Sequence, residues 1–270
     1  MTTEGLLNAP RGHYRVKHVA RSEVVKMLTL RSTAITLGLA FVACLLVTGL
    51  VAHSALHHPP SYYHFGYDPT QQALTGMITV ALTGGVFGAL LITGEYSSGT
   101  IRTTMAAAPK RSLLLATKVG VTTALALVFC ELLSFLSFFL GQAILSGGGA
   151  PSATLASPGA ARAVILTGLF IALLALMSFG FGLIFRSTAA AIASFVGVIF
   201  VLPLVMHGIS QSGVRYLPTN ILTNSIMSTV SQGQGGPFGP VSPVVGLLLM
   251  VLYAAIALAI GATVFIRRDT

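Results

Sequence analysis

Side chains able to do acid–base or metal chemistry are scarce in this chain: six carboxylates, seven histidines and two cysteines over 270 residues. His53, His57, His58 and His64 with Asp68 form the densest set of potential metal ligands. A zinc centre needs three or four donors converging at about 2.0–2.2 Å. Adjacent His57 and His58, followed by Pro59-Pro60, cannot easily converge that way, so the tract reads as an exposed polar loop and no metal is expected. Neither H-E-x-x-H nor G-x-S-x-G occurs, which leaves a hydrolase without its usual equipment. There is also no Gly-Lys dipeptide, so the phosphate-cradling G-x-x-x-x-G-K-[ST] loop is absent. The chain is therefore read as a non-enzyme with no cofactor of its own. Cys44 and Cys130 fall within apolar runs and read as small buried hydrophobes with free thiols.

The elements that would carry these residues are membrane spans. The composition is 54% hydrophobic and 8% charged, with a mean hydropathy of +0.87, whereas a soluble domain keeps about a quarter of its residues charged. Six stretches are long enough to cross a hydrocarbon core of about 30 Å: Thr33–Ala52, Gln72–Thr93, Leu113–Leu145, Arg162–Phe185, Ala189–Ser210 and Pro243–Ile266. The third is overlong and must tilt or project. Helix is the state expected throughout, because an open strand leaves its backbone unsatisfied in lipid. Only Arg186-Ser187-Thr188 separates spans four and five, which makes them an antiparallel pair. The predicted fold is all-α, a polytopic integral membrane protein of one domain over 1–270: an N-terminal segment 1–32, a six-span bundle 33–266 and a tail 267–270.

Glu131 is the one acid placed inside a span by this reading. Counted from Val119 it lies roughly 18 Å in, where a carboxylate costs about 2.5–3.5 kcal/mol on insertion scales. Two readings stay open. It is a polar spot on a substrate route or a proton-sensitive switch, or it is a protonated or hydrogen-bonded strut facing Ser134, Ser137 or another helix.

Charge sets the expected orientation. The formal charge is +9, and thirteen of the fifteen Lys and Arg fall on one side of the six spans, leaving Arg162 and Arg215 for the other. Basic residues gathered at span ends favour lipid headgroups over nucleic acid, and the bias puts both termini in the cytoplasm. The N-terminal 32 residues carry too many charges for a cleavable signal peptide, so the N-terminus is expected to be kept. Within it, Val16, Val19, Val24, Met27 and Leu28 can share an apolar stripe, with Arg15, Lys17, Arg21 and Lys26 toward headgroups. Among the outer loops, Leu217-Pro218-Thr219-Asn220 has the form of a helix start, with a hydroxyl or amide available as cap. Ile221, Leu222, Ile226 and Met227 follow at helical spacing, as in a short helix dipping back from the outer face. Small residues recur at four-residue spacing: Gly84 with Gly88, Ala189 with Ala193 and Gly197, and Ala257 with Gly261. They allow close helix approach within the bundle or between subunits.

The polar interlude Gly94-Glu95-Tyr96-Ser97-Ser98-Gly99-Thr100-Ile101-Arg102-Thr103-Thr104-Met105 separates spans two and three. Gly99 permits a backbone turn that a side chain would crowd, Thr100 can cap the short helix that begins after it, and Glu95 and Arg102 offer charges to a partner or to each other. Its Glu-x-x-x-Gly-Thr-Ile-Arg core resembles the coupling helix between the second and third spans of ABC-2 type permeases. Ser22-Glu23-x-x-Lys26 with Arg31-Ser32-Thr33 is similar to that family's amphipathic elbow helix. Tyr216-Leu217-Pro218 resembles its outer re-entrant element, and Arg267-Arg268-Asp269 its short basic ending. The departures are Val24-Val25, where an aromatic residue is common, and the tract after Leu217-Pro218. The resemblance spans essentially the whole chain, with its specificity in the order of short motifs around six spans.

The resemblance implies the permease subunit of an ATP-driven exporter in the bacterial cell membrane, forming half of a substrate pathway. It further implies two separate ATPase subunits per complex, which bind the ATP, and a second permease, identical or different. Glu95, Gly99, Thr100 and Arg102 would couple the chain to the ATPase. Tyr216, Leu217 and Pro218 would form the outer element, and Glu131 is a possible pathway position, with the strut reading beside it. A non-transporting sensor or resistance component of the same fold is the alternative, with a membrane-embedded enzyme behind it. Nothing in the spans selects a substrate.

Overall fold

The computed structural model describes residues 16–58, 67–101, 111–228 and 241–268. Among them there is no strand, and six helical segments are long and apolar enough to cross a membrane. An amphipathic helix, α1 (Val16–Thr29), leads through Leu30 into the first span, α2 (Arg31–Ala55). The second span is in two pieces, α3 (Pro69–Leu74) and α4 (Met77–Ser97). Asp68 caps α3 by accepting from the backbone N–H groups of Thr70 and Gln71 at 2.9 and 3.3 Å, with Pro69 in the first turn where its missing N–H costs nothing. The third span, α5 (Arg111–Gly147), has 37 residues, or roughly 55 Å of helix. It exceeds the hydrocarbon thickness, as its sequence requires.

α6 (Ala160–Phe185) is the fourth span and ends where Arg186 takes a left-handed conformation, φ 54°. The fifth span comprises α7 (Thr188–Val196), a π turn (Gly197–Val201) and α8 (Leu202–Ile209). Pro203 is the local cause of its irregularity. It has no N–H for the carbonyl four residues earlier, that of Ile199, and its ring crowds that carbonyl. The short helices α9 (Gln211–Val214) and α10 (Pro218–Ser225) lead toward the last span, α11 (Pro243–Arg268).

α6 is the hub, with 72% of its apolar window buried against 17% for α2. Gly84 and Gly88 let α4 lie directly on Ile171 and Ala175 of α6, and Ala257 and Gly261 bring α11 onto Gly180 and Leu183. The third small-residue series behaves differently: Ala189 and Ala193 are exposed, and nothing stands near Gly197. Large apolar side chains point outward from α2, α5, α8 and α11, among them Leu39, Leu132, Leu204 and Leu248, as lipid-facing positions do.

In α1, Met27 is buried while Val24 and Val25 are exposed. The inward face therefore includes Glu23, which is 4% exposed, and is not the purely apolar stripe the periodicity suggests. The side chains of Val16, Lys17, Val19 and Leu28 lie outside the described residues, as does Arg15.

Candidate functional site

Lys118 is among the largest fully buried side chains described, 2% exposed, in the second turn of α5. An ammonium in so dry a place persists only when paired and hydrogen-bonded. Its Nζ lies 2.7 Å from Glu23 Oε2 of α1 and 2.5 Å from Glu95 Oε1 in the last turn of α4. Lys26, three residues beyond Glu23 and so on the same face of α1, reaches the same Glu95 oxygen at 2.6 Å. Two carboxylates and two ammoniums thus balance, and three elements distant in sequence are joined at one charged node. Losing one partner of such a buried set costs about 3–5 kcal/mol, because the remaining charge is stranded. Glu95 Oε2 is buried with no hydrogen-bond partner among the described residues.

The other side of the α4 terminus is also held. Thr188 Oγ1 donates to Thr93 Oγ1 at 2.8 Å, and the Arg186 guanidinium sits 5.4 Å from the centre of the Tyr96 ring. The last turn of α4 therefore lies between α1 and α5 on one side and the α6–α7 turn on the other. Residues 98–101 follow directly. The backbone there reverses at Gly99, φ +71°, with Ser98 N–H on Gly94 O and Gly99 N–H on Tyr96 O.

A Cβ on Gly99 would meet nothing within 4 Å among the described residues; the constraint seen there is the left-handed φ. Helical backbone resumes at Thr100 itself. The Thr100 hydroxyl pairs with Ser98 Oγ at 2.9 Å. Arg102 lies outside the described residues.

Glu131 is partly buried, its carboxyl group packed against Gly168 of α6; a methyl there would come within 2.8 Å of its Cδ. Ser134 and Ser137, which the strut reading offers beside another helix as what Glu131 faces, donate to Val164 O and Ala73 O, each at 2.7 Å. The structure does not bring Glu131 together with Glu95.

At the opposite end of the bundle, Leu217 precedes α10 and Pro218 opens it, with no side-chain cap. Thr219 and Asn220, expected as caps, serve other groups: Thr219 Oγ1 donates to Ile199 O, the carbonyl deprived by Pro203, and Asn220 Nδ2 donates to Arg215 O at 2.9 Å. Ile221, Leu222, Ile226 and Met227 are buried as their spacing suggests. Tyr216 is partly exposed; its carbonyl accepts from Tyr253 OH of α11 at 3.0 Å. Beyond α10, Arg162 donates to Met227 O and Ser228 O at 3.1 and 2.7 Å, and Ser228 N–H donates to Asp68 Oδ2 at 2.6 Å.

Residues 59–270 match the family described as a protein of unknown function, DUF2705. The chain belongs to the DUF2705 family. No curated protein matches the chain. The DUF2705 match includes α4, α5 and the outer elements, hence Glu95 and Lys118, and begins after α1 and α2, which carry Glu23 and Lys26. The sequence alone gives Lys118 only a place among the basic residues flanking a loop. Its usable signal is that it lies within an apolar helical run, where an ammonium needs an acid from another element.

Proposed function

We propose that this DUF2705 protein is a membrane-embedded transport subunit of the ABC-2 permease type, driven by a separate ATPase. The observation that carries the reading is the buried node of Glu23, Lys26, Glu95 and Lys118. A loop that receives force from a soluble motor must be tied to the helices it moves, and both helices flanking residues 98–110 are tied at this node to each other and to α1. In this reading both termini and the 98–110 segment face the cytoplasm, since thirteen of fifteen basic residues then lie inside. α1 acts as an elbow lying along the membrane surface, and α10 acts as the outer re-entrant element. ATP-driven closure of two ATPases would move the segment around Gly99 and Arg102, and α4, α5 and the α6–α7 turn would carry the motion across the bundle. Such coupling requires two arrangements that bind the nucleotide-loaded ATPase differently.

Six spans form half of a pathway in this reading, so a second permease, identical or different, completes it. The exposed Ala189 and Ala193 beside Gly197 offer a close-packing face for that contact. Glu131 stands on the route as a polar position. The test is purification of the tagged chain from its native membrane in mild detergent. The expected result is an ATP-hydrolysing polypeptide in equal amount, with a two-plus-two mass if the permeases are identical. A chain that purifies alone, with no ATP turnover, overturns the reading.

A further inference from the structure

The node leaves a groove beside it. Where α1 crosses α5, Val24 and Met27 form one wall, and Gly120, Ala124 and Val128 run along the floor of a cavity of about 350 Å³. That volume is within the range of small-ligand sites. The floor is low because its first two side chains are small, and it runs roughly 12 Å along the helix axis, down the face of a span. No lining side chain carries a hydrogen-bonding group, so the occupant of this trough is apolar along its length.

The rim is of opposite character. The carboxylates of Glu23 and Glu95 are buried and neutralised within the node. Arg21, one turn from Val24 on the same helix, is exposed; Arg31, which opens α2 four residues after Met27, is exposed too, and neither forms an ion pair among the described residues. Cationic groups above an apolar trough that opens on the face of a membrane span are complementary to one class of molecule.

We infer that the α1–α5 groove is a binding site for an anionic phospholipid, one acyl chain lying over Gly120 and Ala124 and the phosphate at Arg21 and Arg31. A lipid seated there packs α1 against the span carrying Lys118, so its headgroup charge bears on the helix that supplies Glu23 and Lys26. The inference needs only a membrane-embedded chain and is independent of what, if anything, is transported.

The site is tested by native mass spectrometry of the full chain in mixed micelles containing phosphatidylglycerol or phosphatidylcholine. Gly120→Leu is a clean probe, because a Cβ there meets nothing within 4 Å, and Gly38→Leu on the exposed face of α2 is its equally unhindered control. The wild-type chain is expected to retain phosphatidylglycerol in preference to phosphatidylcholine. Gly120→Leu with Ala124→Leu should lower that retention about tenfold or more, since two methylenes of chain burial carry such a factor. Arg21→Gln should lower it about fivefold, the weight of one basic side chain at an anionic surface, and Gly38→Leu should leave it unchanged. Equal retention of the two lipids overturns the assignment of an anionic ligand. Unchanged retention in the Gly120→Leu/Ala124→Leu chain, or an equal loss in Gly38→Leu, overturns the site.

Discussion

The two ends of the bundle are held together by different physics. At one end, four formal charges are drawn into a dry node between α1, α4 and α5. At the other, Asp68, Arg162 and Gln142 work almost entirely on backbone groups: Asp68 accepts from Thr70, Gln71 and Ser228 N–H, Arg162 donates to Met227 and Ser228 carbonyls, and Gln142 bridges Pro69 O and Ala153 N–H at 2.9 and 2.7 Å. Backbone hydrogen bonds to side chains fasten irregular segments in place and tolerate small shifts. A buried ion set tolerates little, because each charge stranded by a shift costs several kcal/mol. The node is thus suited to holding or releasing three elements as a unit, and the opposite end to pinning connections one by one.

The largest expected effect comes from unbalancing the node. Lys118→Met leaves Glu23 and Glu95 buried against a single Lys26 and should destabilise the chain by about 3–5 kcal/mol. Cys44 and Cys130 are buried free thiols, so thermal unfolding followed by a thiol-reactive dye measures this directly. An unchanged transition would mean that the node is hydrated and the contrast between the two ends is false. At the opposite end, Asp68→Ala removes a helix cap and strands Ser228 N–H, for a smaller loss of about 1–2 kcal/mol in the same assay. A loss equal to that of Lys118→Met would erase the distinction. Gly99→Val forces a branched side chain into left-handed backbone at an exposed turn. It should cost about 1–2 kcal/mol locally while ATPase recruitment falls further than stability accounts for. Glu131→Gln should be smallest in stability, within about 0.5 kcal/mol, because it preserves shape at a partly exposed position, with any effect confined to transport. A Gln variant silent in transport, beside a poorly assembled Glu131→Leu, would make Glu131 a strut.

Much of this architecture is legible in the sequence because a membrane span is a local property. Each run must be apolar along its own length, and all six segments appear with ends displaced by only a few residues. What is hidden depends on contacts between remote positions. Glu23 and Lys118 are 95 residues apart, and nothing near either names the other. Breaks within spans are hidden for a related reason. The Thr75-Gly76 step between α3 and α4 works because Gly76 sits directly on Thr48 of α2, and the gap before Pro203 is filled by Thr219 from another helix. Hydroxyls and amides near a helix start read as caps from sequence, yet Thr219 Oγ1 and Asn220 Nδ2 find nonlocal or upstream partners once the chain is packed. Glu95 is legible as a coupling candidate from its motif, while its burial depends on a lysine that composition assigns to a loop flank.

In the proposed function the node transmits force and does not merely hold the fold. Replacing all four charges, with Glu23→Gln, Lys26→Met, Glu95→Gln and Lys118→Met together, strands no ion and should restore stability lost in Lys118→Met alone, since uncharged replacement of a buried ion set is often neutral or better. The deciding measurement is ATP turnover by the ATPase that the proposal expects to co-purify with the chain, with this fourfold variant in place, beside its unfolding transition. The expected result is a near-normal transition with turnover uncoupled from the permease, so that the ATPase behaves as it does alone. A stable fourfold variant that recruits its ATPase and regulates turnover as the wild type does would contradict the claim.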